Sequence, residues 1–69
     1  MANIWDYKDA DIVIITAITG VDYKGRIISM LSSDDLEDII ENPEDSISIE
    51  NNDGIFGFYS SEIKSITVA

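Results

Sequence analysis

The most chemically distinctive part of the sequence is residues 32–45, SSDDLEDIIENPED, which places seven carboxylates in fourteen positions without a Lys or Arg. Carboxylates at this density support three kinds of chemistry. They bind hard cations, they act as general acids and bases, or they contact a basic surface. Each kind requires different residues nearby, and the rest of the sequence meets these requirements unequally.

A metal site is not indicated by the spacing of potential ligands. The turn ENNDG at 50–54 has the composition of part of a calcium loop. Aligning Gly54 with the sixth loop position, however, places Ile49 at the first ligand and Ser60 at the twelfth. The chain has no His and no Cys, so it lacks the usual ligands of zinc and other borderline metals. We therefore expect no metal and no other cofactor.

Enzyme catalysis is not indicated either. The chain lacks His, the most common proton shuttle, and Cys, the usual thiol nucleophile. A domain of 69 residues offers little depth for a pocket that would raise the pKa of a carboxyl group. Its four glycines are too widely separated to form a phosphate-binding loop. The sequence therefore predicts a protein that is not an enzyme and has no catalytic residues.

The net charge of −10 is concentrated in one part of the chain. Residues 27–63 contain ten acidic residues and no Lys or Arg, whereas residues 1–26 carry a net charge of only −1. Such a field repels nucleic acid and anionic membranes, and it attracts basic surfaces with fast, salt-sensitive association. We therefore expect a basic protein partner, no direct nucleic-acid binding and no membrane binding. The alternative is that the acidity only keeps the protein soluble.

The pattern of elements predicts a mainly β fold (β-rich α+β) in a single domain spanning residues 1–69. Strands are predicted where β-branched residues, alternation and glycine turns recur, at 11–18, 21–31, 46–50, 55–59 and 62–69. Gly25 is expected to mark a bend or bulge in the second strand, and residues 51–54 a hairpin turn. Residues 1–10 are predicted to be a lead-in arm or a short helix. The five strands should form a small barrel or a curved antiparallel sheet.

A short acidic helix is predicted at residues 34–41, between the second and third strands, ending before Pro43. Its apolar residues Leu36, Ile39 and Ile40 share one stripe, and its carboxylates lie on the opposite face. Capping accounts for only part of these acids, because like charges four residues apart repel one another. The predicted partner-binding residues are this acidic face and its continuation along the chain: Asp34, Asp35, Glu37, Asp38, Glu41, Glu44, Asp45, Glu50 and Asp53.

Two segments resemble the signatures of Sm-like proteins such as Hfq. The segment VIITAITGVDYKGRI at 13–27 has an apolar strand followed by two glycines five residues apart, as in the first signature. The segment SISIENNDGIFGFYSSEIKSITV at 46–68 is similar to the closing hairpin and final strand. This resemblance implies a five-stranded Sm-like or SH3-like barrel. It does not imply RNA binding, because Ser60 and Ser61 stand where that family places a basic Lys-His pair.

By type rather than by alignment, the chain is similar to small phage-encoded acidic proteins that inhibit host proteins by mimicking DNA. Inhibitors of the nucleoid protein HU made by Bacillus phages are the favoured analogy, with inhibitors of polymerases, nucleases and CRISPR effectors as neighbours. The resemblance implies binding to the basic nucleic-acid-binding surface of a host protein. The absence of Cys and of a signal-peptide pattern favours the cytoplasm, which would be that of the host cell.

Two alternative functions stay open on the sequence. One is an Sm-like oligomer that binds a small ligand or nucleotide signal through Tyr23, Arg26, Phe56 or Tyr59. The other is a structural or regulatory oligomer whose acidic surface has no partner. Self-association is expected in each case, because a small core and apolar strand edges in SITVA and IFGFY favour a homodimer or a larger homo-oligomer.

Overall fold

The chain forms one open, five-stranded antiparallel sheet in the order β4-β3-β2-β1-β5. This is a computed structural model, and it describes residues 3–36 and 44–69. The strands are β1 Ile12–Ala17, β2 Asp22–Leu31, β3 Ser46–Asn51, β4 Gly54–Tyr59 and β5 Ile63–Val68. The prediction of a mainly β protein with five strands in these positions is confirmed, and of the two predicted arrangements, a barrel and an antiparallel sheet, the structure has the sheet.

Within the described residues, three short helical segments accompany the sheet. A 3₁₀ helix at Ile4–Tyr7 lies within the predicted lead-in, and a second at Ser60–Glu62 connects β4 to β5. The α-helix α1 spans Ser33–Leu36, so it begins one residue before the predicted start at Asp34. The remainder of the predicted helix, residues 37–41, lies outside the described residues. No helix in the described part of the chain is long and apolar enough to cross a membrane.

Strand β2 is long because it serves two neighbours in succession. Its first half pairs with β1, from Thr16↔Asp22 to Ile12↔Arg26, and its second half pairs with β3. Gly25 lies where the strand passes from one neighbour to the other. A Cβ built on Gly25 would lie 2.8 Å from the Glu50 carbonyl oxygen. Glycine is therefore required here by the close approach of β3.

The irregularity in β2 lies beyond Gly25. The register between β2 and β3 shifts between Ile27 and Ser29, so Ile28 is an extra residue that has no partner and is exposed. The prediction of a bulge at Gly25 was therefore wrong in position. The bulge reverses the direction of the following side chains, which brings Met30 rather than Ser29 to the core side of the sheet.

The core lies on one face of the sheet and consists mainly of isoleucine. The core residues with almost no exposed surface are Ile4, Val13, Ile15, Ile47, Ile49 and Ile63. The alternation predicted for SISIE, with Ile47 and Ile49 facing inward, is confirmed. In β5 the buried residues Ile63 and Ile66 are three positions apart, because a register shift against β1 leaves Lys64 as an extra residue. Ile4 reaches this core from the first 3₁₀ helix, which anchors the N-terminal arm.

Candidate functional site

Asp45 connects three separate parts of the chain. Its Oδ2 accepts a hydrogen bond of 2.8 Å from the Trp5 indole Nε1, and its Oδ1 accepts one of 2.8 Å from the Ser33 backbone N–H. Its backbone carbonyl accepts a third bond, of 2.9 Å, from the Ser60 N–H. Both donors to the carboxylate hold the pKa of Asp45 below its ordinary value, and the Ser33 N–H has a larger effect than the Trp5 indole. Partial burial opposes this lowering of the pKa.

These bonds change the interpretation of Asp45, which the sequence assigned to partner binding. Both of its carboxylate oxygens are used inside the molecule, where they fix the start of α1 and the N-terminal arm. Local capping rules point to nearby residues such as Ser32 with Asp35. Here the acceptor for the Ser33 N–H is twelve residues away, so no local pattern identifies it.

Glu44 is likewise used within the chain. Its Oε1 accepts a hydrogen bond of 3.1 Å from the Ser61 backbone N–H, and its Oε2 accepts one of 3.0 Å from the Ser61 hydroxyl. The Ser60 hydroxyl lies 3.5 Å from Oε1. Ser60 and Ser61 therefore serve as anchors for the second 3₁₀ helix, at the positions where the Sm-like signature has its basic pair.

Three predicted partner-binding carboxylates are exposed and free. No described residue forms an ion pair or hydrogen bond with the side chains of Asp34, Glu50 or Asp53, and all three are exposed. The side chain of Asp35 and residues Glu37, Asp38 and Glu41 lie outside the description. Within the described residues, no group of three acidic, His or Cys side chains is arranged to hold a metal ion.

The structure separates the basic residues from one half of the molecule, which we call the acidic half and define as residues 33–36 and 44–59. All four bases lie outside it, at Lys8, on the first half of β2 and on β5. Arg26 approaches Asp11 at 3.7 Å, but both side chains are more than two-thirds exposed, so this pair contributes about 0–1 kcal/mol. Arg26 also lies opposite Glu50 in the β2–β3 pairing, at the border of the acidic half.

A surface hollow of about 460 Å³ lies between the start of β2 and the β3–β4 turn. We call it the turn hollow; it is lined by Asp22, Tyr23, Lys24, Asn51, Asn52, Asp53 and Phe56. Asn51 fixes its rim, because its Nδ2 donates to the Lys24 carbonyl and its Oδ1 accepts from the Asp53 N–H, both at 2.8 Å. The predicted hairpin turn is confirmed, since β3 ends at Asn51 and β4 begins at Gly54, which has a φ of 131°.

The residues proposed from the sequence for a small ligand divide between the two faces of the sheet. The rings of Tyr23 and Phe56 lie 5.3 Å apart and pack against the core. Arg26 lies three positions after Tyr23 in β2, and Tyr59 lies three positions after Phe56 in β4. The side chains of Arg26 and Tyr59 therefore point to the opposite face of the sheet, and both are exposed. The structure therefore brings together two of the four residues.

The fold and the free carboxylates together define a small antiparallel β-sheet protein with one acidic half. Comparisons of the chain with protein-family models, with curated proteins and with solved structures found no match. The resemblance to Sm-like proteins and the similarity in type to acidic inhibitors rest on the sequence features described above. Both stay predictions.

Proposed function

We propose that this protein is a non-catalytic inhibitor that occupies the basic nucleic-acid-binding surface of another protein, as a mimic of DNA. The observation that carries the proposal is the separation of charge. The β3–β4 hairpin presents Glu50 and Asp53, which form no ion pair with a described residue although Arg26 lies opposite Glu50, and residues 27–63 contain ten acids and no base. Nucleic-acid-binding surfaces are built to attract rows of negative charge.

The carboxylates of the hairpin are suited to this role because the sheet fixes the backbone that carries them. Glu50 is paired on both sides, with Arg26 of β2 and Ile55 of β4, and the turn that carries Asp53 is fixed by Asn51. Charges on a preorganised backbone lose little conformational entropy on binding. Their negative potential also accelerates encounter with a basic partner.

The Sm-like fold, the particular partner and the compartment are proposed from the resemblances in the sequence. The first Sm-like segment, 13–27, covers most of β1 and the first half of β2, and the second, 46–68, covers β3–β5, which supports an Sm-like arrangement of the sheet. The nucleoid protein HU is the first partner to test, because the chain is similar in type to the HU inhibitors of Bacillus phages. The protein would then act in the cytoplasm of the host cell.

The proposal predicts that the protein displaces a fluorescently labelled DNA duplex from purified HU, measured by fluorescence anisotropy. Displacement should be strong at low salt and weaken steeply as salt rises, because the contacts are between exposed charges. The protein should not bind the duplex directly. The same assay is run with a DNA-binding nuclease and with a polymerase. The proposal is contradicted if HU, the nuclease and the polymerase all keep their DNA at every salt concentration.

We also propose that the protein self-associates through a free edge of the sheet. Strands β4 and β5 are the two outermost strands, and Val68 on β5 is 58% exposed. Unpaired strand edges with little Lys to protect them favour pairing with another strand. Sedimentation equilibrium at moderate salt should give a mass of at least twice 7.6 kDa. A single species of monomer mass at high micromolar concentration would contradict this.

A further inference from the structure

The turn hollow has an aromatic floor that is not fully covered by the rest of the molecule. Tyr23 and Phe56 are only partly buried, at 5.3 Å from each other, and both line the hollow. No described residue forms a hydrogen bond with the Tyr23 hydroxyl. The face of an aromatic ring carries partial negative charge and attracts cations. The floor of the hollow is therefore suited to a flat, positively charged group.

The rim of the hollow adds negative charge and hydrogen-bond acceptors. The Asp53 carboxylate is exposed and free among the described residues. Asp22 precedes Tyr23 in β2, so its side chain points to the opposite face of the sheet, where its Oδ1 accepts a hydrogen bond of 2.7 Å from the Thr16 hydroxyl. Lys24, the single base among the lining residues, points to the same face as Asp22, so Asp53 supplies the charge beside the aromatic floor. The net charge of −10 makes the site more negative still.

We propose that the turn hollow anchors the guanidinium group of an arginine side chain from the partner. A guanidinium is planar, so it stacks on the face of one ring, because the rings of Tyr23 and Phe56 are tilted by 45°, and its donors bond the free Asp53 carboxylate. An ammonium group has no flat face to stack. A phosphate would be repelled by the Asp53 carboxylate and by the net charge of −10.

This inference rests on the proposed function, because it assumes that the partner is a basic protein. It adds a position and a chemical identity to the contact, namely an arginine at the β3–β4 turn. The hollow is already formed in the free protein, since Asn51 holds the turn against β2 through the Lys24 carbonyl. Its volume of about 460 Å³ falls in the range of small-molecule sites, about 300–1,000 Å³.

The test is an NMR titration of the protein without any partner, which follows the backbone amides. The probes are N-acetyl-arginine methylamide, its neutral isostere N-acetyl-citrulline methylamide, and adenosine monophosphate. The arginine compound should shift the amides around the hollow, including those of Tyr23, Asn52 and Asp53, to saturation with a dissociation constant on the order of millimolar. The citrulline compound should bind about tenfold more weakly.

Three results would overturn the proposal. They are non-saturating shifts at all exposed carboxylates, equal binding of the citrulline compound, and saturation of the same amides by adenosine monophosphate through Lys24. Tyr23→Leu and Asp53→Asn should each weaken arginine binding at least about threefold, whereas Asp34→Asn should not. Asp53→Asn changes an exposed turn residue, so it tests the site even if Tyr23→Leu fails to fold. Because no partner is present, this titration and the displacement of DNA from HU can fail independently.

Discussion

Replacing Gly25 with alanine is expected to destabilise the protein by about 2–3 kcal/mol, the upper range for forcing an extra methyl group into a packed interior. The added Cβ would lie 2.8 Å from the Glu50 carbonyl oxygen, so β2 and β3 would have to separate where β2 changes partner. Replacement with valine should prevent folding, because the total stability of a domain this small is on the order of 5 kcal/mol. Urea denaturation followed by circular dichroism measures both effects.

Gly57 supplies the matched control for this experiment. It also lies within a strand, but a Cβ there would meet only the Ser48 hydroxyl, at an ordinary contact distance of 3.5 Å. Gly57→Ala should therefore be neutral or stabilising by up to about 1 kcal/mol, because alanine reduces the entropy of the unfolded chain. Equal effects of alanine at the two positions would show that β3 does not approach Gly25 closely.

Asp45→Ala is expected to cost about 2 kcal/mol of unfolding free energy. Hydrogen bonds to a charged group contribute about 1.5–3 kcal/mol each. The Asp45 carboxylate accepts two such bonds, and its partial exposure to solvent reduces their summed contribution. The indole of Trp5 and the N–H of Ser33 both lose their acceptor. Trp5→Phe removes the indole donor and keeps an aromatic ring. In a double-mutant cycle, the two substitutions together should cost less than the sum of the single effects.

The contribution of Asp45 should also depend on pH. The pKa of Asp45 is lowered in the folded protein from its ordinary value of 3.8, so its stabilisation is present above that pH. It is lost as the pH falls through the lower folded-state value. The difference in unfolding free energy between the parent and Asp45→Ala should therefore be constant near neutral pH and shrink below about pH 4. A difference that does not change with pH would indicate that the carboxylate is not held by these donors.

Much of the sheet was predictable because its signals are local. The β-branched run in β1 and the alternating isoleucines of β3 each define a strand, and the Asp53-Gly54 turn sets the hairpin. The exposure of Glu50 and Asp53 follows from the same patterns. Each of these inferences needs only a few neighbouring residues, so a single sequence is sufficient.

The features that were missed depend on contacts between distant residues. The bulge at Ile28 is set by the register of β2 on β3, and the sequence marks it only by adjacent isoleucines. The link from Asp45 to Trp5 spans forty positions, so no local pattern distinguishes Asp45 from a surface charge. The turn hollow forms only when the start of β2 meets the β3–β4 turn. In the sequence, only the aromatic residues Tyr23 and Phe56 indicate a binding site there.

The central claim, that the acidic half competes with nucleic acid for a basic protein, is tested most directly by displacement of DNA from HU. A first triple variant removes three free charges from the acidic half by combining Asp34→Asn, Glu50→Gln and Asp53→Asn. A control variant removes the same amount of charge from the N-terminal residues before β1 by combining Asp6→Asn, Asp9→Asn and Asp11→Asn. At about 0.5 kcal/mol per exposed contact, the first triple variant should displace DNA about tenfold less effectively than the parent. The control should remain within about twofold of the parent, whereas equal losses in both variants would contradict the claim.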